Sequence, residues 1–223
     1  MDYRIISIGA LSKHELWTMP QQPRTAHATT TLIRSDDKLI LVDPGLPPQV
    51  IAARLTERTG LEPSAITDVF LTNFRPSHRW GLPAFEHARW LISETERETT
   101  GLMLVEKYQR EKDEQVREIL QKDIAILKRC TPAPDRLASH VDLFPLPGFT
   151  PGTCGLLLSQ VNSTTLVAGD AVATGEHLEQ GRVLKGSANI SQAQESLLEA
   201  IEIADLIIPG HDNLVVNPTR RRY

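Results

Sequence analysis

An α/β fold is the expectation for this chain of 223 residues, and three observations carry it. Continuous apolar runs such as Leu39 to Val42 and Ile66 to Thr72 have the composition of strands buried on both faces. Between such runs lie segments whose apolar residues recur at helical spacing. No internal repeat, low-complexity tract or flexible linker divides the chain, so one domain spanning 1–223 is expected.

Element by element, Arg4 to Gly9 and Thr29 to Arg34 read as strands from their β-branched content. Ser35, Asp36 and Asp37 supply turn chemistry before the run Leu39 to Val42, which makes a hairpin. Gln49 to Thr59 carries Val50, Ile51 and Leu55 and stops at Gly60, the pattern of a short helix. After the strand Ile66 to Thr72 the chain becomes charge-dense from Glu94 to Cys130, with Val105, Tyr108, Val116, Ile119, Leu120, Leu127 and Cys130 near helical spacing. No proline interrupts that stretch, and it reads as one long amphipathic helix or two in series: a packed surface helix, a lid, or a homodimer contact. Val141 to Leu146, Gly155 to Ser159 and Thr164 to Ala168 read as strands, with Asn162-Ser163 as a turn. Ser191 and Gln194 form a capping box for a helix through Ala204, and Ile207 and Ile208 mark a last buried strand.

The formal net charge of −4 provides no global attraction to nucleic acid or to an anionic membrane surface. Arg220 to Arg222 reads as a short solvated tail. Cys130 and Cys154 cannot build a disulfide framework and match no zinc spacing, which fits a reducing compartment. The start MDYRIISIGAL lacks the features of a signal peptide, and no apolar run reaches the length of a membrane span, so a cytoplasmic location is expected. Sequons at Asn162 and Asn189 are then unused. A Gly-x-Ser-x-Gly elbow, a phosphate loop and a dinucleotide fingerprint are all missing.

Phe70 to Phe85 reads FLTNFRPSHRWGLPAF: an apolar strand ends in Leu-Thr, and a helix is entered through Gly-Leu. With LILVDPG (39–45), PGFTPGTCGLLL (147–158), LVAGDAV (166–172) and LIIPGHD (206–212) in that order, the chain resembles the metallo-β-lactamase superfamily over nearly its whole length. The resemblance implies a four-layer αββα sandwich, with a long helical insertion around 94–130 and two adjacent metal sites at one end of the paired sheets. In the family the loop carries His-x-His-x-Asp-His, whereas here the four positions hold Asn73, Arg75, Ser77 and His78. Phe149 stands where a third histidine would be; Asp170 and His211 are retained, and Asp43 matches a residue that supports the ligand loop from behind.

On that resemblance the first metal site has lost its histidines at Asn73, Arg75 and Phe149. Asn73 offers a weak carbonyl oxygen, Phe149 offers nothing, and Arg75 is permanently charged with no lone pair. A guanidinium roughly 5 Å from a divalent ion at an effective dielectric of about 20 costs on the order of 6 kcal/mol. The second site keeps His78, Asp170 and His211, a sufficient set for one zinc, iron or manganese ion, with Ser77 a poor substitute for a carboxylate. Two readings follow. A single metal at these residues activates water against an ester, thioester, lactone or phosphoester, with Asp170 and His78 catalytic. Alternatively no metal binds: Arg75 fills the space and pairs with Asp170, and an inactive member binds a small anion or a protein partner; Arg75 swinging outward onto an anionic substrate is a further option. His14 and His87 are expected at the surface, and Cys154 as a buried inert thiol.

Overall fold

The computed structural model describes residues 1–220; Arg221, Arg222 and Tyr223, and with them most of the expected arginine tail, lie outside the described residues. In chain order the elements are β1 (Asp2–Ser7), β2 (Thr30–Ser35), β3 (Lys38–Val42), α1 (Pro48–Thr59), β4 (Asp68–Leu71), α2 (Pro76–Arg79), β5 (Arg89–Ile92), α3 (Glu94–Arg110), α4 (Glu114–Arg129) and β6 (Thr131–Pro132). The second half contains β7 (Arg136–Ala138), β8 (Val141–Pro145), β9 (Cys154–Ser159), β10 (Thr164–Gly169), α5 (Gly175–Glu179), α6 (Ile190–Ile203), β11 (Leu206–Pro209) and β12 (Val215–Val216). Two six-stranded sheets result, one in the order β1-β2-β3-β4-β5-β6 and the other β12-β11-β10-β9-β8-β7.

Three buried clusters show that the layers are α/β/β/α. Alternation along each strand sends Ile33, Ile40, Val42 and Phe70 inward to meet Val141, Leu156, Leu158, Val167 and Ile208 of the opposite sheet. The other face of the first sheet, through Leu32, Leu41, Val69 and Leu71, buries Ile51 and Leu55 of α1 and Leu104, Leu120 and Leu127 of α3 and α4. Leu166, Ala168 and Ile207 cover the outer face of the second sheet against Leu197 and Ala200 of α6. Parallel pairing of β3 with β4 and of β10 with β11 brings four strand ends to one edge of the sandwich.

Local chemistry accounts for most boundaries. Gly60 closes α1 in the left-handed conformation at φ 72°, and Asp36 at φ 53° makes the tight turn between β2 and β3. The charge-dense stretch is two helices, because the Asp113 carboxylate accepts the Gln115 and Val116 amides and starts a second helix there. Its buried face is narrower than the spacing suggests: Leu104, Leu120 and Leu127 point inward, but Val105 and Ile119 are exposed. The expected capping box at Ser191 does not form. Asn189 caps α6 instead, accepting the Gln192 amide at 3.1 Å while its own amide donates to Gly148 O, so Ser191 already lies inside the helix. No helix among the described residues is long and apolar enough to cross a membrane.

Candidate metal centre

The site is assembled from strand ends. Asp43 follows β3, Thr72 and Asn73 follow β4, His78 sits in the short helix α2, Asp170 follows β10 and His211 follows β11. Glycines make the close approach possible. Gly169 has φ 54° and packs on Thr72, and a Cβ on Gly210 would lie 2.8 Å from Asp170 Oδ1. The amides of Gly210 and His211 donate to Val172 O and Ala173 O, tying the two ligand-bearing turns together.

Three side chains predicted from the sequence converge. Donor atoms of His78, Asp170 and His211 all lie within 4.8 Å of one another, and all three residues are buried. His78 Nε2 is 2.8 Å from Asp170 Oδ2, and His211 Nε2 is 2.9 Å from Asp170 Oδ1. The far side of each ring decides its tautomer. His211 Nδ1 faces the His27 carbonyl at 2.9 Å, an acceptor only, so Nδ1 carries the proton. His78 Nδ1 lies 3.0 Å from Asp43 Oδ2, and Asp43 also accepts the Thr72 amide and hydroxyl at 2.9 and 2.7 Å. In the neutral rings both Nε2 lone pairs are therefore aimed at the Asp170 carboxylate, which is repulsive unless positive charge lies among them.

That charge is either protons or a metal ion, and the donor set fits an ion. Both histidines have the tautomer of a metal ligand, one held by a carboxylate and one by a carbonyl. Asp170 Oδ1 is buried and, although His211 Nε2 is close, has no partner in hydrogen-bond geometry among the described residues, leaving an oxygen to coordinate. Without an ion the charge resides on His78. Burial lowers its pKa, but Asp170 and Asp43 outweigh that and push it up to about 10. Burial by contrast raises Asp170, but the charge on His78, with the His211 ring beside it, more than reverses this and holds the carboxyl well below its usual value.

The other predicted positions are placed differently. Asn73 does not present its carbonyl to the centre: Oδ1 accepts the Arg75 amide at 3.0 Å, and Nδ2 donates to Asp170 Oδ2 at 3.0 Å. Arg75 does not pair with Asp170, whose oxygens are already surrounded by His78, His211 and Asn73. Its exposed side chain turns outward, with the guanidinium carbon 4.9 Å from the ring centre of Phe149. Phe149 is buried with Leu11, Ala173 and Leu184. Ser77 makes no side-chain hydrogen bond among the described residues; its carbonyl accepts the Ala28 amide. Cys154 is buried, and burial raises its thiol to about 12.

His87 is exposed, but the expectation of a surface His14 is overturned. The His14 ring is buried, stacks on Trp17 at 4.6 Å and reaches Thr174 Oγ1 at 3.1 Å, beside His177. Thr174 is 160 residues away, beyond the reach of local pattern. Thr72 was visible only as part of the Leu-Thr motif, and Glu96, a buried carboxylate that accepts from Phe74 N, Thr150 Oγ1 and Gly152 N, looked like one more charge on a solvated helix.

Comparison with known proteins adds the following. The sequence profile described as "Metallo-beta-lactamase superfamily" matches residues 24–211. No curated protein matches significantly. Among solved structures, a Thermotoga maritima protein provisionally described as a metallo-beta-lactamase is 19% identical, with a TM-score of 0.70, covering 96% of this chain and 98% of its own. A variant of AiiA from B. thuringiensis with N-decanoyl-L-homoserine bound at its active site is 19% identical, with a TM-score of 0.64 and coverages of 94% and 92%. AidC, a dizinc quorum-quenching lactonase, is 20% identical with a TM-score of 0.61, covering 78% of this chain and 67% of AidC. At these identities the structures speak for the fold alone.

Proposed function

The chain belongs to the metallo-beta-lactamase superfamily, and from that membership we propose that it is a metal-dependent hydrolase working with one divalent ion, zinc, iron or manganese, held by His78, Asp170 and His211. The observation that carries this reading is the pair of histidine Nε2 atoms facing a carboxylate one of whose oxygens has no hydrogen bond among the described residues. The centre is read as mononuclear because Asn73, Arg75 and Phe149 provide no second donor set. When bound, such an ion lowers the pKa of a coordinated water to about 7 and supplies a nucleophile at neutral pH. Asp43 holds the His78 tautomer, the His27 carbonyl holds that of His211, and the Asn73 amide orients Asp170. The substrate classes are esters, thioesters, lactones and phosphoesters. Lactones come first for testing because two of the similar structures are described as a lactonase or bind an acyl-homoserine.

A second reading is favoured by one observation: an imidazolium at His78, flanked by Asp43 and Asp170, satisfies the same geometry with no metal. The protein is then an inactive member that binds an anion or a partner, with Leu102, Val105 and Ile119, all exposed, as a homodimer surface on α3 and α4. Metal analysis separates the two. Protein purified without chelator should contain about one equivalent of metal, lost in Asp170→Asn and His211→Gln, since the ligands act as one set. Metal below about a tenth of an equivalent, unchanged by added zinc or manganese, would sink the hydrolase reading. Sedimentation of a monomer at high concentration would remove the dimer surface.

A further inference from the structure

A cavity of about 530 Å³ opens beside α3, between Phe74 to Pro76 and the turn Phe149 to Pro151. None of His78, Asp170 and His211 lines it, so it is distinct from the three-donor group. Its size falls within the roughly 300–1,000 Å³ of small-molecule sites. Glu96, Thr100, Met103 and Lys107 follow one another at helical spacing, so a single face of α3 forms one wall. Phe74, Leu104 and Phe149 add apolar surface.

The charges in this wall are unevenly matched. Arg79 is paired with Asp123 at 2.7 Å, and the Glu96 carboxylate is occupied by its three donors. Arg75 and Lys107 have no carboxylate within ion-pair distance among the described residues, and the Thr100 hydroxyl has no hydrogen-bond partner among them. Arg75 is instead held over the Phe149 ring, which fixes its planar fork at the cavity wall. A neutral apolar ligand would leave both cations unanswered, and a small hydrophilic anion would leave the apolar wall wet. Allowing for Glu96, the wall has one positive charge in excess, which suits a monoanion better than a phosphate dianion.

We propose that this cavity binds a small amphipathic carboxylate. Its carboxylate is gripped by Arg75, with Lys107 as the second charge, and its apolar body lies along Phe74, Met103 and Leu104. The proposal stands independently of the metal-centre reading, and the test keeps the two apart. Calorimetric titration of the full chain, before and after chelator treatment, would use octanoate, 1-octanol, acetate and octyl phosphate as probes. Octanoate should bind in both preparations, at least about tenfold more tightly than the other three. Arg75→Gln should weaken octanoate about tenfold, as should Met103→Glu, which adds a repelling charge at an exposed helix position and leaves the circular dichroism unchanged. Octanol binding as tightly as octanoate, octyl phosphate binding more tightly, affinity unaltered in both variants, or no binding at all would each overturn the proposal. Octanoate binding abolished by the chelator would overturn it too, because the carboxylate would then be held by the metal centre.

Discussion

The role assigned to Asp43 predicts an unusual outcome for Asp43→Asn. Asp43 lies at φ 49°, in the left-handed region that Asn tolerates as well as Asp, so the exchange alters charge and hydrogen bonding with little backbone strain. In the native protein one oxygen accepts the Thr72 amide at 2.9 Å; the other accepts the Thr72 hydroxyl at 2.7 Å and faces His78 Nδ1 at 3.0 Å. The introduced amide has a single oxygen. The Thr72 N–H can only donate and so claims that oxygen, which turns the NH2 toward His78 Nδ1. The ring must then accept at Nδ1 and carry its proton on Nε2, where the metal lone pair would be. At an effective dielectric of about 20, two unit charges 3.0 Å apart interact by roughly 5.5 kcal/mol. His78 keeps Asp170 as a partner, so the net loss is nearer the ~1.5–3 kcal/mol of a hydrogen bond to a charged group. For a chain of this size that lowers Tm by roughly 3–12 °C. Metal affinity should fall about 100-fold, the upper end of what loss of such a supporting partner costs. Competition with a chromogenic chelator measures the affinity and a thermal melt the stability. A variant that melts lower yet keeps its metal affinity within about threefold would show that Asp43 does not set the tautomer.

Three further outcomes follow from the same geometry. Burial raises Cys130 to about 11 and Cys154 to about 12, so at pH 8 only about one thiol in a thousand and one in ten thousand is ionised; both should resist an aromatic disulfide reagent in the native protein and react once it is unfolded, and rapid native labelling of either contradicts the burial. Burial, aided by His14, lowers the pKa of His177 despite Glu15 and Glu176. The unfolded chain then binds that proton more readily, so the stability this group contributes is complete above about pH 6.5 and is lost as the pH falls through the folded value; His177→Gln should flatten the acid limb of a Tm-against-pH curve, and an unchanged slope would exclude His177 as its source. Gly210→Ala would place a Cβ 2.8 Å from Asp170 Oδ1 and from the Gly169 carbonyl carbon, so we expect a loss of about 1–3 kcal/mol together with metal affinity, and a variant with wild-type Tm would show that the turn has slack.

What was legible in the sequence depended on how far apart the interacting residues lie. The hairpin of β2 and β3, the glycine stop of α1 and the buried runs of β4 and β11 are local, and turn chemistry or apolar continuity marked each of them. The convergence of His78, Asp170 and His211 could be read only through the ordered motifs, because nothing in any one segment indicates that residues such as His78 and Asp170, 92 positions apart, will meet. Where the reading went astray, two local signals competed or a distant partner decided. Asn189 and Ser191 are both good caps, and the bond from the Asn189 amide to Gly148 settled the helix start. Arg75 looked like a filler for the vacated space, but His78, His211 and Asn73 already surround Asp170, and the apolar face of Phe149 holds the guanidinium outside.

The two occupancies of the centre are close alternatives for the same physical reason. Two buried carboxylates, Asp43 and Asp170, flank one imidazole, so the site needs positive charge at His78 Nε2 whether or not an ion is present. A proton satisfies that need without any movement of the scaffold, so metal-free protein should remain folded. A divalent ion must displace the proton to enter, so its binding should release close to one proton per ion at neutral pH, where His78 is otherwise fully protonated. Titrating zinc into metal-free protein in two buffers of different ionisation enthalpy counts that proton directly. Metal uptake with no release would mean that His78 is neutral before the ion arrives, and that the two carboxylates do not control its charge.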